Sequence, residues 1–195
     1  MIEISGKKYG TILIDPPWDY NQKLASHDTT RGGAIKHYSL MTFEELKELP
    51  ISPLAEKDCM LWLWVTNSFI QEGFELIKHW GFEYKTMLTW GKTQFGIGYW
   101  LRGQTEHCLL AVRGKPRLLF KGKNGACGNN YSTLLIAKRR EHSRKPDEMY
   151  NIIENISPEP RIELFARQRR QGWDVWGNEA PKEEQKILFL VGEEK

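Results

Sequence analysis

The chain has few cysteines, no long apolar run and no cysteine pair at zinc-ligand spacing. Cys59, Cys108 and Cys127 are the only cysteines. An odd number leaves at least one thiol unpaired, which argues against a disulfide scaffold and for a reducing, cytoplasmic setting. No apolar stretch approaches the roughly 20 residues that a membrane helix needs. The first residues also lack the charged-then-apolar pattern of a secretion signal. A membrane partner is therefore not expected. The Gly-rich stretch at residues 91–100 lacks the spacing and the Lys-Ser/Thr ending of a P-loop, so it gives no nucleotide-phosphate cradle.

What is present fits one folded unit. At 195 residues, 40% hydrophobic and 27% charged, the chain is long enough and apolar enough for one α/β core spanning 1–195. The net charge of +3 hides an uneven distribution. Residues 113–170 carry 14 Lys/Arg against 6 Asp/Glu, and the remainder carries 14 against 19. A basic block of this kind, in a chain with eight Trp, suits a phosphate backbone and stacked bases; a solvated face is the alternative.

Thr11-Ile12-Leu13-Ile14-Asp15-Pro16-Pro17-Trp18 is the most informative stretch. Ile12, Leu13 and Ile14 read as a strand buried on both faces. Two prolines end it, because neither donates to a sheet ladder. Asp15 is left at the carboxyl tip, where open α/β sheets bind ligands. The Asp15 carboxylate, a bare Pro16 carbonyl and the Trp18 ring would suit the exocyclic amine of a stacked, flipped-out base. The alternative is a plain Asp-Pro-Pro turn with a core Trp.

Downstream, Thr42 and Glu45 form a capping box for a short helix that Pro50 and Pro53 should stop. Residues 59–65 read as a second buried strand, with Trp62 and Trp64 on one face. Trp64 lies nearer the tip and is either core or turned to the base. Asn67 or Ser68 should cap a helix to Trp80, ended by Gly81. A third strand covers 82–90. Strand and helix alternate, which predicts a parallel sheet. Glu106, His107 and Cys108 invite a metal reading, but alternation separates His107 from the other two, so a hydrogen-bonded, half-buried role is the better reading. Pro146 should open a helix whose apolar face is Met149, Ile152, Ile153 and Ile156. Residues 161–165 form another short strand. The apolar run 187–191 is either an edge strand or a subunit contact.

Several blocks in order resemble the Asp-Pro-Pro-Trp class of adenine-N6 methyltransferases, which includes the eukaryotic mRNA adenosine methyltransferase and bacterial and phage relatives. They are residues 15–18, Leu61-Trp62-Leu63-Trp64-Val65-Thr66, Gly98-Tyr99-Trp100-Leu101, Glu106-His107-Cys108-Leu109, Ser143-Arg144-Lys145-Pro146-Asp147-Glu148, Ile162-Glu163-Leu164-Phe165-Ala166-Arg167 and Gly177-Asn178-Glu179. The resemblance implies a Rossmann-like α/β methyltransferase fold. Its sheet would be mostly parallel, with helices on both faces and the catalytic strand ahead of the cofactor strand, a permuted order. It also implies transfer of a methyl group from S-adenosyl-L-methionine to the N6 amine of adenine in nucleic acid.

By that resemblance Asp15, Pro16, Pro17 and Trp18 are catalytic. Lys145 meets the methionine carboxylate of the cofactor, with Asp15 alongside. Phe165 and Arg167 border the cofactor, and Asn178 and Glu179 reach its ribose and adenine edge. Arg169, with Arg170, stands where eukaryotic relatives carry His and Asn. Tyr38 takes the place of an aromatic near the target base, or else anchors the helix after it. Trp100 belongs to a loop beside the substrate entrance, within basic substrate-facing loops at about 91–140; residues 180–195 are a tail. The Gly-x-Gly turn of ordinary methyltransferases is missing after the 161–165 strand. Partners would be adenine-containing DNA or RNA, with DNA favoured, and a homodimer or related methyltransferase subunit. Three rivals remain: another planar amine or amide as substrate, a silent nucleic-acid-binding subunit, and metal chemistry at Glu106-His107-Cys108.

Overall fold

The computed structural model describes residues 2–3, 6–20, 40–96, 100–118, 131–140, 144–177 and 188–189. The elements run β1 (Ile2–Glu3), β2 (Tyr9–Ile14), α1 (Phe43–Lys47), α2 (Ile51–Leu54), β3 (Ala55–Val65), a 3₁₀ turn (Asn67–Phe69), α3 (Ile70–His79), β4 (Glu83–Lys92), β5 (Thr105–Arg113), β6 (Leu134–Ala137), α4 (Asp147–Ile156), β7 (Arg161–Leu164), β8 (Trp173–Trp176) and β9 (Leu188–Phe189).

Seven strands form one sheet in the order β6-β4-β5-β3-β2-β7-β8. All run the same way except β5, which is antiparallel to both neighbours, β3 and β4. The expected mostly parallel sheet is therefore present, with β5 wedged between two strands that sequence alternation alone made neighbours. Every residue of β2 is buried, as a central strand requires.

Helices cover both faces. On one, Leu46, Ile51, Leu54, Leu76 and Ile77 pack onto Ile12, Ile14 and Leu61 of the sheet. On the other, Met149, Ile152, Ile153 and Ile156 of α4 pack onto Leu13, Trp62 and Trp64. The i, i+3, i+4, i+7 spacing of the α4 residues is what turns one stripe of the helix to the sheet. A fully buried Leu or Ile side chain stabilises by about 1.5–3 kcal/mol, so these two layers hold the strand tips in fixed relation.

The capping box is formed: the Thr42 hydroxyl accepts from the Glu45 N–H at 3.2 Å, and the Glu45 carboxylate accepts from the Thr42 N–H at 2.7 Å. Three local expectations need correction. Pro53 does not stop the chain but lies within α2, in a first turn whose N–H groups have no intrahelical acceptor. Neither Asn67 nor Ser68 caps α3, because a 3₁₀ turn intervenes and the Asn67 side chain bonds elsewhere. Pro146 is the residue before α4 rather than its first. Within the 187–191 run, Leu188 and Phe189 pair antiparallel with Glu3 and Ile2 as a separate two-stranded sheet.

Candidate active site

The carboxyl ends of β2, β3 and β7 converge with the start of β5. Their register puts Ile14 beside Leu63 and Leu164, and Val65 beside His107. Asp15 therefore leaves β2 next to the tips of two parallel neighbours, and Glu106 enters from the antiparallel strand. Lys145, just before α4, drops its ammonium between them. Its Nζ lies 2.8 Å from Asp15 Oδ1 and 3.2 Å from Glu106 Oε2. Lys92 closes the cluster at 2.5 Å from Glu106 Oε1. The Lys145 ammonium also sits 5.1 Å from the centre of the Trp64 ring.

Burial decides the energetics here, because the Lys145 side chain is only 10% exposed. Burial alone would push its ammonium down; Asp15 and then Glu106 outweigh it and hold it above the ordinary lysine range. For Glu106, burial pushes upward and Lys145 and Lys92 win, so the carboxyl is held below its ordinary value. Asp15 and Glu106 thus share a trapped cation. Lys145 engages Oδ1 of Asp15, and Oδ2 is the second acceptor of the same carboxylate.

The Pro-Pro-Trp turn differs from expectation in two ways. The Pro16 carbonyl is not bare: it accepts from the Trp18 N–H at 2.9 Å, which tightens the turn. One of its two lone pairs remains for a ligand. Trp18 is not an open plate either. It is 6% exposed, one face stacks on Phe69 at 4.8 Å and 14°, and its indole N–H donates to the Trp64 carbonyl at 3.1 Å. Its place in the fold is to pin the turn to the end of β3. Trp18→Phe should keep the stacking and lose the hydrogen bond, lowering stability by about 1 kcal/mol in a denaturant titration. Trp64 likewise lies in the core, 2% exposed and edge-on to Trp90, so it forms the floor beneath Lys145 rather than a surface for a base.

The cofactor-strand end has its own device. Phe165 follows β7 with φ 62°, the left-handed region where glycine is at ease and other residues are strained. Its ring packs against Trp176 at 5.3 Å. The glycine of this tip is Gly177, one residue beyond β8. A Cβ there would lie 2.4 Å from the Ala166 carbonyl oxygen and 2.7 Å from its nitrogen. A close turn therefore exists without a Gly-x-Gly sequence: Phe165 supplies the conformation and Gly177 the space. Gly177→Ala should force the two strand ends apart and cost about 1–3 kcal/mol, read as a lowered urea midpoint.

Of the other candidates, Arg167 is partly buried and Arg169 exposed on the loop after Phe165, and Trp100 is 90% exposed beside Leu101. Tyr38, Asn178 and Glu179 lie outside the described residues. Glu106, His107 and Cys108 part ways. Glu106 joins the ion cluster, His107 bonds Thr89 and Asn67, and Cys108 is buried with its thiol pushed well up by burial. The three form no joint ligand set among the described residues. The role of Glu106 as a counter-ion of Lys145 was missed from the sequence; its separation from His107 by strand alternation was the available signal.

The basic block is also partly used up internally. Arg113 binds Ser52 and the Trp80 carbonyl, and buried Arg161 binds the Glu154 and Ser157 carbonyls. Asp147 gathers Arg140, Arg144 and Arg170, and Arg170 lies over the Tyr150 ring at 3.7 Å. Tyr150 in turn donates to buried Glu163 at 2.7 Å; burial is the main cause that lifts the Glu163 carboxyl to about 7. Lys115, Arg117, Lys138 and Arg139 remain exposed.

A mostly parallel sheet covered on both faces, with a polar cluster at the carboxyl tips of its central strands, is a Rossmann-like methyltransferase domain. The MT-A70 family model matches residues 9–179, and the chain belongs to that family. The type II methyltransferase M.MunI of Mycoplasma sp is 34% identical over 197 residues, covering 92% of this chain and 81% of that protein. The human N(6)-adenosine-methyltransferase catalytic subunit METTL3 is 32% identical over 183 residues, 88% of this chain and 28% of its own length. A probable N(6)-adenosine-methyltransferase MT-A70-like protein of Oryza sativa subsp. japonica is 33% identical over 184 residues, 88% of this chain and 23% of its own. The chain thus spans about a quarter of the length of these plant and animal relatives.

Proposed function

We propose that this protein transfers a methyl group from S-adenosyl-L-methionine to the N6 amine of adenine in nucleic acid, with DNA as the substrate. The observation that carries the reading is the Asp15–Lys145–Glu106 cluster at the strand tips. Support for DNA comes from the bacterial type II methyltransferase, matched over most of its length.

The cluster has the charges that S-adenosyl-L-methionine requires. Lys145 has a third N–H for a carboxylate, and Asp15 offers a carboxylate to an ammonium or sulfonium. Phe165 and Arg167 lie at the adjoining β7 tip to border the nucleoside. When bound, the cofactor supplies an electrophilic methyl group. The chain's residues do the rest by positioning. Asp15 Oδ2 and the remaining lone pair of the Pro16 carbonyl accept the two N–H groups of the amine. That contact concentrates the nitrogen lone pair, which conjugation otherwise spreads into the purine ring. Pro17 and the Trp18 anchor hold the two acceptors at fixed spacing. The proton released on transfer passes to water.

Trp100 and the exposed Lys115, Arg117, Lys138 and Arg139 are outward aromatic and cationic groups suited to bases and phosphates. A homodimer or a pairing with a related methyltransferase subunit completes the proposal, and the cytoplasm is the expected location. The deciding experiment offers labelled methyl donor and a panel of single- and double-stranded DNA and RNA oligonucleotides. Label recovered as N6-methyladenine in DNA is the expected result. Label only in RNA would overturn the substrate, and none in any oligonucleotide would overturn the activity.

A further inference from the structure

Asn67 lies just past the carboxyl end of β3, at the same edge of the sheet as the ion cluster, and has no part in the mechanism above. It begins the 3₁₀ turn that follows β3, two residues beyond Val65. Its carbonyl oxygen is held from two directions: His107 Nε2 lies 2.7 Å away, and the Thr105 hydroxyl donates at 3.2 Å. Both groups face an acceptor, so His107 carries its proton on Nε2. Its Nδ1 then accepts from the Thr89 hydroxyl at 3.0 Å, on the strand directly across. Burial holds the imidazole below its ordinary value, although Glu106 pulls the other way, so the ring stays neutral and the tautomer fixed.

The result is an amide locked at one end. With Oδ1 fully used, the two Nδ2–H donors of Asn67 can point only away from the strand. The residue is exposed, and among the described residues no group accepts from that nitrogen. Two hydrogen bonds to the oxygen also polarise the amide and strengthen its donors. The bond to Asn67 satisfies the Nε2–H of buried His107, and in doing so it fixes an exposed amide at a cost in conformational entropy. The neighbours tie it to the active site. Thr66, its predecessor, accepts from the Tyr20 hydroxyl at 3.0 Å. That phenol is raised mainly by burial, and it also feels the charges of Glu106, Lys145 and Asp15.

We infer that Asn67 is a specificity-determining residue whose amide N–H groups, aimed by His107 and Thr105, donate to an acceptor atom of a nucleobase at the mouth of the methylation site. The inference rests on the proposed methyl transfer to nucleic acid. The acceptor is a purine ring nitrogen, on the target adenine or on a flanking purine. Asp and Glu, which accept rather than donate, would be repelled by the same atom.

The test is a substitution cycle across the interface. Wild type, Asn67→Ala and Asn67→Asp are assayed on a methylated oligonucleotide and on versions with single acceptors removed. Those carry 1-deaza-, 3-deaza- or 7-deazaadenine at the target, or deaza purines at each flanking position. A further version carries methylphosphonates in place of the nearest phosphates. Cofactor affinity and thermal midpoint serve as fold controls, and Asn67→Asp preserves both size and the anchored oxygen. Asn67→Ala is expected to lower kcat/KM by about tenfold on the parent oligonucleotide, with Asn67→Asp lower still. The penalty should vanish on the one oligonucleotide that lacks the contacted acceptor. Thr105→Val should give a smaller loss that vanishes on that same oligonucleotide. The position at which this occurs separates target from neighbour. A penalty of equal size on every oligonucleotide, no penalty at all, or one cancelled only by methylphosphonate overturns the inference. If wild type methylates none of them, it is the proposed activity that fails instead.

Discussion

Asp15→Ala is expected to cut methyl transfer by about 10²–10³-fold while the sheet stays folded. The side chain lies at a strand tip rather than in a core layer, and it pairs with the Lys145 ammonium. Glu106 still holds that ammonium after the substitution, so the buried cation keeps one counter-ion. What is lost is the acceptor that orients the amine. Asp15→Asn separates charge from geometry: it keeps a carbonyl oxygen and should recover part of the lost rate. Single-turnover transfer at saturating cofactor, with circular dichroism as the fold control, reads both. Near-normal turnover in the alanine variant would remove Asp15 from the mechanism.

Lys145→Met should have the largest effect on the protein itself. It leaves two carboxylates, Asp15 and Glu106, facing each other in a largely buried site with no cation between them. Lys92 still reaches Glu106 but not Asp15. Removing one member of a buried ionic set costs about 3–5 kcal/mol, and the site loses the donor proposed for the cofactor carboxylate. Cofactor affinity should fall at least tenfold by calorimetry. The pH dependence has a definite sign. Glu106 is held below its ordinary value in the wild type, so its contribution is complete above that value and is lost as the pH falls through its folded pKa. In the variant the same carboxyl loses Lys145, the stronger of its two attractive partners, and burial favours its neutral form. The gap in thermal midpoint between the two proteins should therefore be widest near neutral pH and narrow on acidification. A gap that stays constant from pH 7 to pH 4 would sink this account.

The readable parts of the fold were those written in periodicity and in backbone chemistry. Ile12–Ile14 with two following prolines gave a buried strand ending at Asp15. The i, i+3, i+4, i+7 apolar set of α4 and the Thr42–Glu45 capping box were equally legible. The antiparallel entry of β5 was not, because strand direction depends on where a chain returns and not on the residues within the strand. Charge pairing was harder still. Lys145 and Glu106 meet through folding of the whole middle of the chain, so nothing local announces the pair. The acceptor expected at Pro16 and the open plate expected at Trp18 were inferred from what those groups can do. The structure gives both of them neighbours, Trp18 N–H and Phe69, that local sequence could not supply. The missing Gly-x-Gly was a true absence with a misleading implication, since the close turn is made by Phe165 and by a glycine on a different strand.

The register between β2 and β7 sets a timetable for assembly. Ile12 pairs with Ile162 and Ile14 with Leu164, so the strand bearing Asp15 finds one of its two lateral neighbours only once residues 161–164 have left the ribosome. Closing so long a loop is slow compared with forming the neighbouring β4–β5 pair. Until then the nascent chain presents one unsheltered side of a strand that is buried at every residue in the folded protein, a species that chaperones would engage.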